Sequence, residues 1–595
     1  MTSPNRVGPG PSSADTLVLI LILASAAAAC VTWLPVHLAE PPGYTGGGPI
    51  DVAFGVLGGR ITWTSECTLW LIAVLAGFAV VGAGVLVVWR RVRGRRTRVD
   101  RVARSMATRR DVAHLTGKAA LEKARRLQPS REDAPASQVP LGPILLRRMG
   151  LVGPGEVLRA SAEDIVIVFA GMRSGKTTSQ AIPNIVEYPG PLIATSAKRD
   201  VVDATRGVRE RLSPQGVWIF DPQDMVGLDA QDTWWYDPLA GCERFDIAMR
   251  RAAILAAAER EPGARIDAHF DNAAKQLIAS MLQAAALGGK TIVDVYSWLM
   301  DPDAPEPEPV RLLSQAGQHD TGRALFNKYN EPDKMKGSTF GTAQTMMTFL
   351  ANERIQQWVT PQARRKFSPD QFVASQADTL YLLSEGGVGS PAPLLAILND
   401  ALSEAAKARA NAMGGRLDPY ILTIMDEAAN LIRDPDLPRK VTHYGSRGMP
   451  MVIILQTYAQ GEETWGRGGM RALWSAANHV LYMGGVKDPQ FLEWLSQLIG
   501  EHDVPIRTVS TSGSGLSRQS VSYATRRQRI LSVSDLMAMP TGRAVLLSSG
   551  TPPVLGETVP WMDGPYAAAV RESLAKYQPS PQSPAPAGGN HVWRQ

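Results

Sequence analysis

Between Ile165 and Thr178 the chain reads IVIVFAGMRSGKTT. A β-branched apolar run leads into a turn through Gly171, Met172, Arg173, Ser174 and Gly175, and then into Lys176, Thr177 and Thr178. A buried strand that turns through glycine into the first turn of a helix predicts a layered α/β fold. It is also the arrangement that grips a polyphosphate. Backbone N–H groups converge on the phosphates, Gly175 keeps Cβ bulk away, Lys176 neutralises charge, and the Thr177 hydroxyl is a ligand for Mg²⁺. The usual pattern is G-x-x-x-x-G-K-[ST], and here Ala170 stands at its first glycine. Alone, such a run is also compatible with an ordinary Gly-Ser turn.

A second segment supplies the partner. Tyr420 to Glu427 read YILTIMDE, another buried-type strand, ending in two adjacent carboxylates. In a nucleotide hydrolase Asp426 holds Mg²⁺, while Glu427 orients and deprotonates the attacking water. The bland alternative is a strand followed by a helix N-cap. The two motifs in this order predict ATP and Mg²⁺ as cofactors.

At 595 residues the chain has room for several domains, and 20% charged with 45% apolar residues is an ordinary globular balance. Any membrane segments are therefore local. The net charge of +6 favours anionic partners only mildly, because much of the excess is concentrated in one stretch. Cys30, Cys67 and Cys242 lack metal-ligand spacing, which argues against a zinc site or a disulfide framework.

Thr16–Val36 and Thr68–Trp89 are uncharged and apolar, each long enough to cross a bilayer as a helix. Ten arginines and a single acid, Asp100, follow between Arg90 and Arg110. The positive-inside rule places that end in the cytoplasm, so His37 to Cys67 forms an external loop and the N-terminus is cytoplasmic. The expected location is the inner (cytoplasmic) membrane, multi-pass, in contact with its lipids, with the body in the cytoplasm. A cleaved signal ending at SAAAAC is the rival reading of the first span, and a DNA-binding arm is the rival reading of the arginines.

From Ala107 onward, short apolar runs predict strands at Ile165–Phe169, Pro191–Thr195, Val217–Phe220, Thr379–Leu383, Tyr420–Met425, Met451–Leu455, His479–Met483 and Ala544–Leu547. Continuous rather than alternating apolarity marks parallel strands buried on both faces. The expected fold is α/β, a RecA-like P-loop ATPase core over 107–243 and 375–565. An all-α insertion occupies 244–374, and residues 1–106 form a membrane hairpin with a basic flank. Ser512–Ser520 reads as a flexible surface loop. The tail 566–595, rich in proline and glycine from Gln578, is expected to be disordered.

With these parts in order, the chain resembles the type IV secretion coupling proteins, the conjugative DNA-transfer ATPases of the TraG/TraD kind. The resemblance is carried by the N-terminal hairpin, the P-loop, TSAKRDVVDATRGVRERLSPQGVWIFDPQ, YDPLAG and FDNAAKQLIASML. MDEAANL, VTHYGSRGMPMVIILQTYAQ and SVSDLMAMPTGRAVLLSSGTPPV complete it. It spans about residues 15 to 565. Ala170 and Arg173 depart from the family pattern. The resemblance implies a homohexameric ring on the inner membrane that takes a relaxase-bound DNA strand, most simply single-stranded, and drives it into the secretion channel. It also implies Lys176 and Thr177 on phosphate and metal, Asp426 on metal, Glu427 on water, and Gln456 as sensor of the γ-phosphate. Arg447 is the candidate arginine offered to a neighbouring subunit's site. Sequence-neutral handling of DNA is expected, since no base-reading motif stands out. Three other readings stay open: an FtsK-like duplex pump, a coupling ATPase for protein substrates, and a scaffold with an inactive P-loop.

Overall fold

The computed structural model describes residues 31, 33–93, 97–149, 155–229, 232–259, 267–385, 390–431, 434, 436–512 and 518–579. It divides into two units, residues 1–97 and 98–595.

In the first unit, the predicted span 16–36 lies almost wholly outside the described residues. Helix Pro49–Leu57 stands within the segment expected to be a loop, and Val36, Val52, Ile61 and Cys67 pack into a small apolar cluster. The predicted span 68–89 falls inside the 29-residue helix Ser65–Arg93. Leu69, Trp70, Ile72, Leu75 and Val80 on it are exposed. Among the described residues, which omit many of this helix's later side chains, no helix is long and apolar enough to cross a membrane.

The second unit is built on an 11-stranded sheet. In chain order the strands are β1 (Ile144–Arg148), β2 (Val157–Arg159), β3 (Ile165–Phe169), β4 (Leu192–Ser196), β5 (Val217–Phe220), β6 (Trp234–Tyr236), β7 (Arg365–Phe367), β8 (Thr379–Leu383), β9 (Leu422–Met425), β10 (Met451–Leu455), β11 (His479–Tyr482), β12 (Glu501–Ser512), β13 (Arg518–Arg529), β14 (Arg543–Ser548) and β15 (Thr551–Glu557). The sheet order is β2-β1-β15-β14-β11-β3-β10-β9-β4-β8-β5. From β11 to β5 every pairing is parallel, and the edge from β14 to β2 is antiparallel.

Helices on both faces explain the continuous apolar runs. Ile165, Ile167 and Phe169 of β3 pack on one face with Leu395, Val441, Leu473 and Phe491. Val166, Val168 and Ala170 pack on the other with Ala181, Ile185, Val201 and Val202. Strand side chains alternate between faces, so both sets must be apolar when both faces are covered. The helix after the P-loop lies on the second face. It opens with a wide π turn, Thr177–Ala181, and continues as Ile182–Glu187. Pro183, which has no N–H to give, sits two residues after the wide turn.

Helices fill most of the segment between Phe245 and Ala374, beginning with Phe245–Ala258 and Ala268–Leu287. The exception is β7, which pairs in parallel with β6. Two expectations need correcting. Ser512–Ser520 is not one loop: Ser512 ends the 12-residue strand β12 and Arg518–Ser520 open its 12-residue antiparallel partner β13, while 513–517 lie outside the described residues. The tail is not disordered from 566, because Ala567–Tyr577 is a helix packed on helix Asp200–Leu212. Val570 is buried there, and the Ser573 hydroxyl donates to the Asp203 carbonyl at 2.7 Å. Its single apolar stripe was outweighed, in composition, by the proline-rich stretch that follows.

Candidate functional site

The C-terminal ends of β3, β10 and β9 lie side by side, with Phe169 level with Leu455, and Ile453 level with Met425. The loops that leave these ends bring the two sequence motifs together across 250 residues of chain.

The P-loop turns where its backbone becomes left-handed, at Arg173 (φ 59°) and Gly175 (φ 84°). Gly175 takes that conformation freely, whereas Arg173 adopts it at a cost. Met172 and Arg173 are exposed, and the Ser174 hydroxyl folds back to the Gly171 carbonyl at 2.8 Å. Ala170, one residue past β3, continues its ladder: its N–H donates to the Leu455 carbonyl at 3.0 Å, and its φ is not positive. Glycine is therefore not required at that position, which accounts for the departure from the motif. Thr178 caps locally on the Gly175 carbonyl at 3.1 Å.

Lys176 sits between the two carboxylates, its Nζ 2.9 Å from Glu427 Oε1 and 3.3 Å from Asp426 Oδ1. The Thr177 hydroxyl donates to Asp426 Oδ2 at 3.1 Å. Gln456, just past β10, donates through Nε2 to Glu427 Oε1 at 3.3 Å. Lys176, Thr177, Asp426, Glu427 and Gln456 thus form one cluster.

The two acids are in unequal states. Asp426 is buried, and burial raises its carboxyl above the usual range against the pull of Lys176, with the Glu427 charge adding to the rise. Glu427 is partly buried, its side chain 15% exposed. Burial pushes it up, but the hydrogen bond and charge of Lys176, with Gln456 and the Lys198 charge, outweigh that and hold it below its ordinary value. Glu427 also has φ 59°, a left-handed backbone for a residue with a Cβ. Such strain, about 1–3 kcal/mol, persists only where the surroundings enforce it, and functional sites are where it accumulates.

Mg²⁺ requires hard oxygen donors. Asp426 Oδ1 is buried and met only by the Lys176 ammonium at 3.3 Å, beside a threonine hydroxyl already turned to the same carboxylate. That donor set fits the ion.

Two features of the site escaped the sequence reading. The Gly171 N–H donates to the Gly484 carbonyl at 3.0 Å, and a Cβ on Gly171 would lie 2.1 Å from the Gly485 carbonyl oxygen. Gly484 and Gly485, both at positive φ, let the loop after β11 press against the P-loop. A Gly-Gly pair at the end of an apolar run was the available signal. Lys198, two residues past β4, is the other. Arg447 stands apart: it precedes β10, and its carbonyl accepts from the Leu417 N–H, so it lies at the opposite edge of the sheet from its own P-loop.

Fold and site together define an α/β protein with a P-loop at the end of a central parallel strand. Residues 420–541 match the family model described as the TraM recognition site of TraD and TraG. A probable conjugal transfer protein TraG of Sinorhizobium fredii is 23% identical over 403 residues, 65% of this chain and 60% of that protein. Protein VirD4 of Rhizobium radiobacter is 21% identical over 425 residues, 69% of this chain and 59% of that protein. The plasmid coupling protein TrwB, solved in complex with the ATP analogue ADPNP, superposes with a TM-score of 0.49 at 14% identity, over 70% of this chain and 94% of that one. The chain spans about six-tenths of the length of these curated relatives. It is similar to the type IV coupling proteins of the TraG/TraD kind.

Proposed function

We propose that this chain is a membrane-anchored ATPase that couples ATP hydrolysis to transfer of DNA, single-stranded and relaxase-bound, into a type IV secretion or conjugation channel. The observation that carries the reading is the single cluster of Lys176, Thr177, Asp426, Glu427 and Gln456 in a relative of TraG and VirD4.

The chemistry follows from the geometry. Backbone amides between Gly171 and Thr178 and the Lys176 ammonium bind the polyphosphate. Thr177 and Asp426 hold Mg²⁺, which when bound neutralises phosphate charge. Lys176 is the strongest influence keeping Glu427 ionised and a weak base. As Lys176 turns to a phosphate, Glu427 loses that influence, its proton affinity rises, and it can take a proton from water. Gln456 touches the same carboxylate oxygen and follows that change, which suits a sensor. Arg447, at the far edge of its own sheet, serves a neighbouring subunit's site in a homohexamer.

The same proposal takes 107–243 with 375–565 as the ATPase core and 244–374 as the helical insertion. It takes spans 16–36 and 68–89 as the anchor, with the arginines from Arg90 to Arg110 on the cytoplasmic side. Uncharged apolar sequence and the exposed Leu69, Trp70, Ile72, Leu75 and Val80 support the anchor.

The test is ATP turnover by the full chain in detergent, alone, with single-stranded DNA and with duplex, using Lys176→Ala as the blank. Stimulation by single strands is expected. Preference for duplex points to an FtsK-like pump, indifference to DNA points to protein cargo, and no turnover above the blank leaves only a scaffold.

A further inference from the structure

Beside the ATP site, on the β3 face away from the P-loop helix, is an open cavity of about 550 Å³ with an aromatic floor. Its volume is in the range of ligand sites. Trp474 and Trp494 touch with ring centroids 4.4 Å apart, and Tyr458 meets Trp494 edge-on at 5.7 Å. Phe491, stacked on Tyr458, continues the floor to Phe169. One wall, at Tyr458, and Phe169 behind the floor belong to segments that adjoin the proposed nucleotide site. Phe169 is the last residue of β3 before the P-loop, and Tyr458 begins the helix two residues after Gln456.

The polar lining decides what fits. Glu462, Asp488 and Arg471 line the cavity, two carboxylates against one guanidinium. Neither Glu462 nor Arg471 makes an ion pair among the described residues. Asp488 caps the following helix through Oδ1 alone, accepting from the Gln490 and Phe491 N–H groups at 3.0 and 3.2 Å. Its second oxygen remains available. Aromatic faces attract a cation, and a guanidinium plane stacks on indole while it bonds a carboxylate. A phosphodiester would meet the two carboxylates at close range and be repelled.

We propose that this cavity is a docking site for a protein partner that inserts a basic side chain, arginine above lysine, flanked by apolar residues. The guanidinium stacks on Trp474 and Trp494 between Glu462 and Asp488, and the remaining volume takes an apolar neighbour. A partner seated there rests on the segments that end the P-loop strand and follow the sensor glutamine.

The test uses the full chain carrying 5-fluorotryptophan, with the Trp474 and Trp494 ¹⁹F signals assigned through Trp474→Phe and Trp494→Phe. The probes are acetyl-Leu-Arg-Leu-amide, its citrulline counterpart of the same shape without charge, and a ten-residue oligothymidylate. The arginine peptide is expected to shift both signals saturably and the citrulline peptide to leave them in place. The double variant Glu462→Gln/Asp488→Asn should weaken arginine-peptide binding at least tenfold. Asparagine keeps the helix cap, so the fold is retained. Arg471→Gln should leave the affinity unchanged or tighter. Equal response to citrulline, no response to arginine, or a response to oligothymidylate that disappears in Arg471→Gln each overturns the proposal.

Discussion

At the N-terminal ends of β4 and β8, the guanidinium of Arg209 is wholly buried. It donates to the carbonyls of Tyr188, Gly190 and Ala377 and to the Thr379 hydroxyl. At the same edge of β3 and β11, Asp164 accepts from the Ser161 N–H at 2.6 Å and lies 3.1 Å from His479 Nε2. These contacts are all made within the fold, with His479 Nδ1 alone among them buried without a hydrogen-bond partner, and neither Arg209 nor Asp164 has a left-handed backbone. At the C-terminal ends of β3 and β9, Lys176 is shared by two acids, one carboxylate oxygen of Asp426 is met only by that ammonium, and Glu427 and Arg173 are strained. One sheet therefore has an edge where most of the polar groups are consumed by the fold and an edge where several are placed to meet a ligand. Stability is invested at the first and given up at the second.

The largest effect that sharpens the contrast is Glu427→Gln. Loss of the proton acceptor should lower ATP turnover by about 10²–10⁴-fold. Fluorescent-nucleotide binding should change little, and the melting temperature should hold or fall slightly, because the carboxylate that Lys176 favours in its ionised form is lost. A variant that turns over ATP at a tenth of the normal rate would show that Glu427 is not the base.

Arg209→Met tests the other edge. It strands at least three carbonyls, and a loss of about 3 kcal/mol is expected from breaking a buried polar network. Differential scanning calorimetry should show a melting temperature lower by about 6–12 °C. ATP turnover by the molecules still folded should be normal, since nothing at that edge touches the P-loop. A normal melting temperature would sink the view of this edge as the stabilising one.

A matched pair of substitutions comes next. Asp164→Asn removes a carboxylate that its surroundings favour ionised and should destabilise by about 1–3 kcal/mol. Asp426→Asn removes one that burial disfavours, so stability should hold or increase while Mg²⁺-dependent turnover is lost. Chemical-denaturation midpoints for both variants check the sign. Equal destabilisation by the two would erase the distinction between the edges.

The smallest effect is in pH. Burial acts to raise Asp164, but His479, the Lys123 charge and the Ser161 N–H together hold it well below the usual carboxylate range. A depressed native value means its contribution is present above the unfolded value, near pH 4, and is lost as pH falls below that. Urea midpoints measured from pH 5 to 3 should fall less steeply for Asp164→Asn than for the parent. Parallel curves would remove Asp164 from the account of acid stability.

Much of the core was legible because parallel strands leave a local trace. Ile165–Phe169, Val217–Phe220, Thr379–Leu383 and Met451–Leu455 fall where their apolar runs predict. β15 was hidden by Pro552 and Pro553, which no propensity argument reads as strand, although they lie on a strand of the antiparallel edge region. β6 and β7, three residues each, are too short to show a period, and the β12–β13 hairpin alternates too weakly. At the candidate site, Lys176, Thr177, Asp426 and Glu427 stood out in the sequence because phosphate and metal chemistry asks for such residue types at fixed spacings, and the fold brings them together. Gly484, Gly485 and Lys198 act through position alone and carried no such signature.

The sequence by itself determined the elements and the chemical vocabulary: buried parallel strands, a phosphate-gripping loop, and an acid pair at a strand end. These rest on local rules of burial, φ and hydrogen bonding that act within a few residues. Only the tertiary structure decided that β10 lies between β3 and β9, so that Lys176, Gln456 and Glu427 share one carboxylate, while Arg447 is carried to the far edge. Such assignments depend on strand order. Strand order is set by the packing of whole helices on both faces of the sheet, and no window of sequence contains that information.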